Sequence, residues 1–94
     1  MFRLIYILTD PRGKRWFYVG VSASPSQRLK QHINKPANVR MAKWIKVLKD
    51  RGLEPELTLL DMCTKEESMV AESDCIKFIA ATRGDRFCMN VNGL

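Results

Sequence analysis

The sequence predicts an α+β domain: a small three-stranded antiparallel sheet flanked by helices. Three observations lead there. Two strand-like runs near the N-terminus are joined by a turn. Three later segments carry helix-capping residues at their ends. A third apolar run lies between the second and third of those segments. The order is strand, strand, helix, helix, strand, helix.

Residues 2–8 (FRLIYIL) are rich in large apolar and aromatic side chains, as strands are. Residues 10–13 (DPRG) form a turn, in which proline presets one backbone angle and glycine relieves the steric limit. Residues 15–21 (RWFYVGV) return as the second strand. A hairpin centred on Arg12 would place Tyr6 directly opposite Tyr18. Gly20 inside that strand marks a place where another group comes close.

Ser24, Pro25 and Gln27 predict the start of a helix over about 25–34, with serine as cap, proline in the first turn and glutamine completing a capping box. Asn38 can cap the next helix, which runs to about Arg51 before Gly52 stops it, with Met41, Trp44, Ile45 and Leu48 as its apolar stripe. Residues 56–62 (ELTLLDM) are the third strand. Thr64 and Glu67 predict a second capping box opening a long helix that ends near Arg83, before Gly84. The last stretch, FCMNVNGL, is expected to be short and partly extended.

Ninety-four residues suit one domain, spanning 1–94. The sequence has neither an apolar run of membrane-spanning length nor a secretory signal, so the expectation is a cytoplasmic or nucleoid-associated protein. Three widely spaced cysteines, Cys63, Cys75 and Cys88, suit reduced thiols rather than a disulfide framework or zinc site. Residues 1–51 hold twelve Lys and Arg against two acids, a balance of +10, and residues 52–94 hold four against eight, a balance of −4. A basic half this pronounced suits a polyanion such as nucleic acid. Its candidate contacts are Arg12, Lys14 and Arg15 around the hairpin turn, Lys30 on the first helix, and Arg40 and Lys43 on the second.

Arg28 and His32 are four apart and share one helix face beside Leu29 and Ile33. On the last helix, Met69, Glu72, Cys75, Ile76 and Ile79 fall on one stripe, and Glu72 alone is charged. A carboxylate facing a core needs a cation, either a basic side chain or a metal ion. Two tyrosines, an arginine, a histidine and that carboxylate together suit metal-assisted phosphodiester hydrolysis. Arginine grips phosphate, a carboxylate holds a hydrated Mg²⁺, and tyrosine or histidine takes a proton from water.

The order of these residues resembles the GIY-YIG nuclease family. Leu4-Ile5-Tyr6 stands where the first tripeptide would be, with Leu4 in place of its first glycine. Tyr18-Val19-Gly20 stands where the second would be. Arg28 and His32 follow in QRLKQH, Glu72 matches the glutamate of the last helix, and Asn90 matches the asparagine that usually closes the domain. The resemblance implies a DNA endonuclease with one Mg²⁺ or Mn²⁺ held by Glu72. Tyr6 would be the general base, and Tyr18 would orient the phosphate or assist that proton transfer. Arg28 would stabilise developing charge, His32 would position water or a phosphate oxygen or relay a proton, and Asn90 would brace the site. Some family members carry a histidine or lysine near the start of the second helix, where the nearest residues here are Asn38, Arg40 and Lys43. A small domain has little surface for reading a long site, so weak sequence preference or a directing protein partner is expected. The alternatives are an inactive nucleic-acid-binding module, a nuclease-regulating interaction module, and covalent attack by tyrosine.

Overall fold

The computed structural model describes residues 2–90. Its element order is β1 (Phe2–Thr9), β2 (Phe17–Ser22), α1 (Pro25–Asn34), α2 (Val39–Asp50), β3 (Glu56–Thr64), α3 (Ser68–Arg83) and a 3-10 turn over Asp85–Phe87. The sheet is three-stranded and antiparallel, as the sequence predicts, and its strands lie in the order β2-β1-β3. Alternate residues of β1 serve two cores. Tyr6 and Leu8 pack with α1 and with Met41, Trp44, Ile45 and Leu48 of α2, while Ile5 and Ile7 pack against α3. No helix among the described residues is long and apolar enough to cross a membrane.

Local signals govern the hairpin turn and both ends of α2. The Gly13 N–H reaches the Asp10 carbonyl at 3.1 Å, and Gly13 has the positive φ, 79°, that closes the turn. Asn38 caps α2 by accepting from the Met41 N–H at 2.9 Å. Gly52, at φ 70°, ends it in a Schellman motif, with the Gly52 N–H on the Lys49 carbonyl and the Leu53 N–H on the Leu48 carbonyl. Leu4, at the position of the family's first glycine, is an ordinary strand residue paired with Ser22 and Met62. The cysteines are free thiols.

Several expectations need correction. The hairpin is centred on Gly13, so Tyr6 pairs with Gly20 and Tyr18 with Leu8. The cause is the chain beyond the turn, since β2 begins only at Phe17 and residues 14–16 belong to the connection. The Ser24 side chain makes no cap bond to α1; its N–H instead reaches the Ser22 hydroxyl at 3.0 Å. The reciprocal bonds of Thr64 and Glu67 do form, at 2.7–3.3 Å, but they close a turn after a longer β3, and α3 starts at Ser68. Met69 is exposed rather than on the packed stripe. In the final stretch, Cys88 bridges in parallel to Phe17 and the Met89 N–H bonds the Phe17 carbonyl at 2.9 Å. Residues 91–94 of that stretch lie outside the described residues.

Candidate active site

Tyr6 lies at the centre of the sheet, beside an irregularity that aims it. Ile5 faces Asp61 but Tyr6 faces Leu59, so Leu60 is the extra residue of a bulge in β3. On the other side, Tyr6 faces Gly20. A Cβ there would overlap the Tyr6 hydroxyl and ring, so the absence of a side chain is what lets the phenol cross β2 toward α1.

There it meets His32. The Tyr6 Oη and His32 Nε2 lie 3.0 Å apart, and both residues are buried. Tyr18 places its ring edge-on to the same imidazole, centroids 4.9 Å apart. Burial pushes the Tyr6 phenol up to about 12, with the charges of Tyr18 and Glu72 adding to the rise and Arg28 opposing it. Burial also raises Tyr18, and Glu72 acts in the same direction. Burial, reinforced by Arg28, lowers His32 to about 4, so the imidazole is neutral at pH 7 and able to accept the Tyr6 proton on Nε2.

Arg28 shares the α1 face with His32 but stands at its exposed rim, with its guanidinium on the Gln31 side-chain oxygen at 2.8 Å. Its charge still reaches both Tyr6 and His32. Glu72 comes from α3, on the opposite face of the sheet, yet its charge reaches both phenols. It is half-buried, burial raises its pKa, and Arg12–Asp10 is the one salt bridge among the described residues. No group of three His, Cys, Asp or Glu gathers among the described residues. A single half-buried carboxylate without a basic partner fits a Mg²⁺ ion, which keeps most of its water and takes substrate phosphate as a further ligand.

Asn90 touches none of these groups. Its amide donates to the Val19 carbonyl at 2.6 Å and its oxygen accepts from the Val19 N–H at 2.9 Å. It therefore stands in for a neighbouring strand, holding the backbone between Tyr18 and Gly20 in place.

The basic residues fall in two places. Arg12, Arg40 and Lys43 line a cleft of about 370 Å³ with Trp16 and Trp44, at the turn end of the sheet. Lys30 lies with Arg28 around a hollow on α1. Lys14 and Arg15 are exposed on the hairpin connection. Arg40 also ties down the C-terminal segment, donating to the Cys88 and Arg86 carbonyls at 3.2 and 2.6 Å, and Asn38 does the same to the Met89 carbonyl at 2.6 Å.

Sequence reasoning passed over two residues. Asp10, which reads as a turn residue, is a buried node that accepts from the Arg12 guanidinium and from the Trp44 indole N–H at 2.8 Å. Arg3 has a buried Nε without a hydrogen-bond partner among the described residues. Only the three-dimensional pairing of strand with helix exposes either.

A family model described as the GIY-YIG catalytic domain matches residues 2–71. The match takes in Tyr6, Tyr18, Arg28 and His32, ends one residue before Glu72, and leaves Asn90 outside. No curated protein and no solved structure matches the chain.

Proposed function

The chain belongs to the GIY-YIG family of nuclease catalytic domains, and from that membership we propose that it is an endonuclease hydrolysing DNA phosphodiester bonds with one Mg²⁺ or Mn²⁺. The observation that carries the chemistry is the buried Tyr6–His32 hydrogen bond. A phenol held near 12 is protonated at neutral pH, so it accepts a proton from water only if it passes its own on. The neutral His32 Nε2 is placed to take it. Tyr6 thus works as a relay: water gives its proton to the phenol oxygen as the phenol gives its proton to the imidazole.

Arg28 faces the incoming phosphate from the rim and stabilises the charge that develops on it. Once paired with phosphate, Arg28 depresses His32 less, so substrate binding itself makes the imidazole a better proton acceptor. Glu72 holds the divalent ion, which when bound supplies positive charge for the departing oxygen. Tyr18 keeps the imidazole in place from its edge, and Lys30 adds positive potential along α1. Arg12, Arg40 and Lys43, with Lys14 and Arg15 nearby, hold DNA backbone further along the sheet. A directing protein partner would supply the sequence preference that so small a surface lacks.

The test is cleavage of supercoiled plasmid and a branched oligonucleotide by the purified protein with Mg²⁺ or Mn²⁺, against EDTA. Metal-dependent cutting by the wild type should be lost in Glu72→Gln and fall about 10²–10⁴-fold in Tyr6→Phe. Tight, salt-sensitive binding without cutting by the wild type would instead favour a binding module. A protein–DNA adduct would favour tyrosine attack.

A further inference from the structure

Both tryptophans of the chain line one cleft. It is the opening of about 370 Å³ in which Arg12, Arg40 and Lys43 stand beside Trp16, Trp44 and Met89. Its volume falls in the roughly 300–1,000 Å³ range of small-molecule sites. None of the residues lining it is acidic.

The walls are fixed before any ligand arrives. The Trp44 indole N–H donates to Asp10 at 2.8 Å, and the same carboxylate holds the Arg12 guanidinium at 2.7 Å. The Arg40 guanidinium lies 5.6 Å from the centroid of the Trp16 ring. It is held there by donating to the Cys88 and Arg86 carbonyls at 3.2 and 2.6 Å. The Trp16 and Phe87 rings meet at 80°, centroids 5.3 Å apart. A ligand entering the cleft meets surfaces that no longer have to be ordered, which lowers the cost of binding.

The cations alone suit any DNA backbone, and the indoles narrow the ligand. Phosphate contact needs charge and hydrogen-bond donors, not an aromatic face. Within a duplex each base face is covered by its neighbours. An unpaired base offers its face, and single strands are held by stacking such faces on aromatic rings and guanidinium planes inside a basic groove. Trp44 is buried and serves the core. Trp16 stands just before β2 and is only half-buried, so the core does not account for all of it.

We propose that this cleft holds an unpaired base of single-stranded DNA, stacked on the wall formed by Trp16 and Arg40, with the adjoining phosphates on Lys43 and Arg12. The assignment rests on the nuclease reading above and names its substrate class: DNA with a single-stranded segment beside the cut. Trp16 and Tyr18 pack on the same face of the sheet. They are two residues apart, about 7 Å along extended chain. A base in the cleft therefore belongs to a nucleotide close to the scissile phosphate. Cleavage falls at the foot of a flap or branch rather than within continuous duplex.

The test is fluorescence anisotropy of labelled oligonucleotides in EDTA, with tryptophan emission read alongside. The ligands are an oligothymidylate of about eight nucleotides, a typical single-strand site size, and an abasic strand and a duplex of the same length. Because both indoles line the cleft, quenching reports on the cleft itself. The oligothymidylate should bind tightest and quench, and the abasic strand should bind more weakly without quenching. Trp16→Leu, checked for folding by thermal melting, should lower the oligothymidylate affinity about 5–150-fold, and Trp16→Phe should restore most of it. Lys43→Gln should instead weaken all three ligands alike. Equal affinity for the abasic strand or the duplex overturns the base site, as does a Trp16→Leu protein that binds the oligothymidylate like the wild type. Displacement of the oligothymidylate by an oligoglutamate peptide as readily as by unlabelled oligothymidylate would mark an acidic-peptide site and overturns it too. If the leucine variant does not fold, the wild-type comparison of the three ligands decides alone. With Mg²⁺ or Mn²⁺ added, continuous duplex cut as fast as a flapped one removes the base site and leaves the nuclease reading. Single-strand binding with quenching but no cutting leaves the base site and removes the nuclease reading instead.

Discussion

The phenol of Tyr6 lies over Gly20, its partner in the antiparallel pair of β1 and β2, in space that any side chain at position 20 would fill. The glycine of one tripeptide thus makes room for the tyrosine of the other. Gly20→Ala should push the phenol off His32. Overpacking of this kind costs about 1–3 kcal/mol, a Tm lower by roughly 4–20 °C in a domain of this size. Misplacing the phenol by about an ångström should also lower cleavage about a hundredfold. Melting and initial rates below the new Tm separate the two effects.

His32 should make stability depend on pH in a defined window. Its folded pKa, about 4, is depressed from 6.5 by burial and then by Arg28. The unfolded chain therefore binds a proton that the folded one refuses. The stabilisation is full above pH 6.5 and is lost as pH falls toward 4, amounting to about 3 kcal/mol across the window. Denaturant titrations at pH 7.5, 5.5 and 4.5 should show the loss in the wild type and a flatter profile in His32→Gln.

Asp10 should act in a separate, lower window. Burial works to raise its carboxyl, but the hydrogen bonds from Arg12 and Trp44 outweigh it and hold the group at about 2, below its ordinary 3.8. The stabilisation is present above 3.8 and is lost as pH falls toward 2, about 2 kcal/mol in all. Asp10→Asn should lose stability at neutral pH and show less further decline than the wild type between pH 4 and 2. Urea midpoints at those values measure the difference.

What the sequence revealed and what it hid divide along contact range. The α2 stripe of Met41, Trp44, Ile45 and Leu48, the Asn38 cap and the Gly52 stop are all legible, because each depends on neighbours within one or two helical turns. The register of Tyr6 was missed because it depends on how far the chain runs on past Gly13 before pairing resumes at Phe17. The bulge at Leu60 was hidden too, since no glycine or proline marks it. Arg28 and His32 share a helix face in both readings, but only the packing shows that His32 is sealed beneath Tyr18 while Arg28 stays at the rim.

Asn90 offers the sharpest test of how the site is held, because its two bonds to Val19 have opposite polarity. Its oxygen accepts from the Val19 N–H, and its nitrogen donates to the Val19 carbonyl. Asn90→Asp keeps the acceptor but sets a second oxygen against that carbonyl, leaving it unpaired at a cost of about 1–3 kcal/mol. Protonating the new carboxyl restores a donor, so its folded pKa should lie above the ordinary carboxylate value. The penalty should then be full at neutral pH and shrink as pH falls through that raised pKa. Asn90→Ala removes both partners and should show no such recovery. Because Val19 sits between Tyr18 and Gly20, both variants should also lower cleavage at neutral pH with the metal requirement unchanged. Melting of the two variants from pH 7 to pH 4 is the measurement, and parallel curves would mean that the amide fills space rather than pairing with the strand.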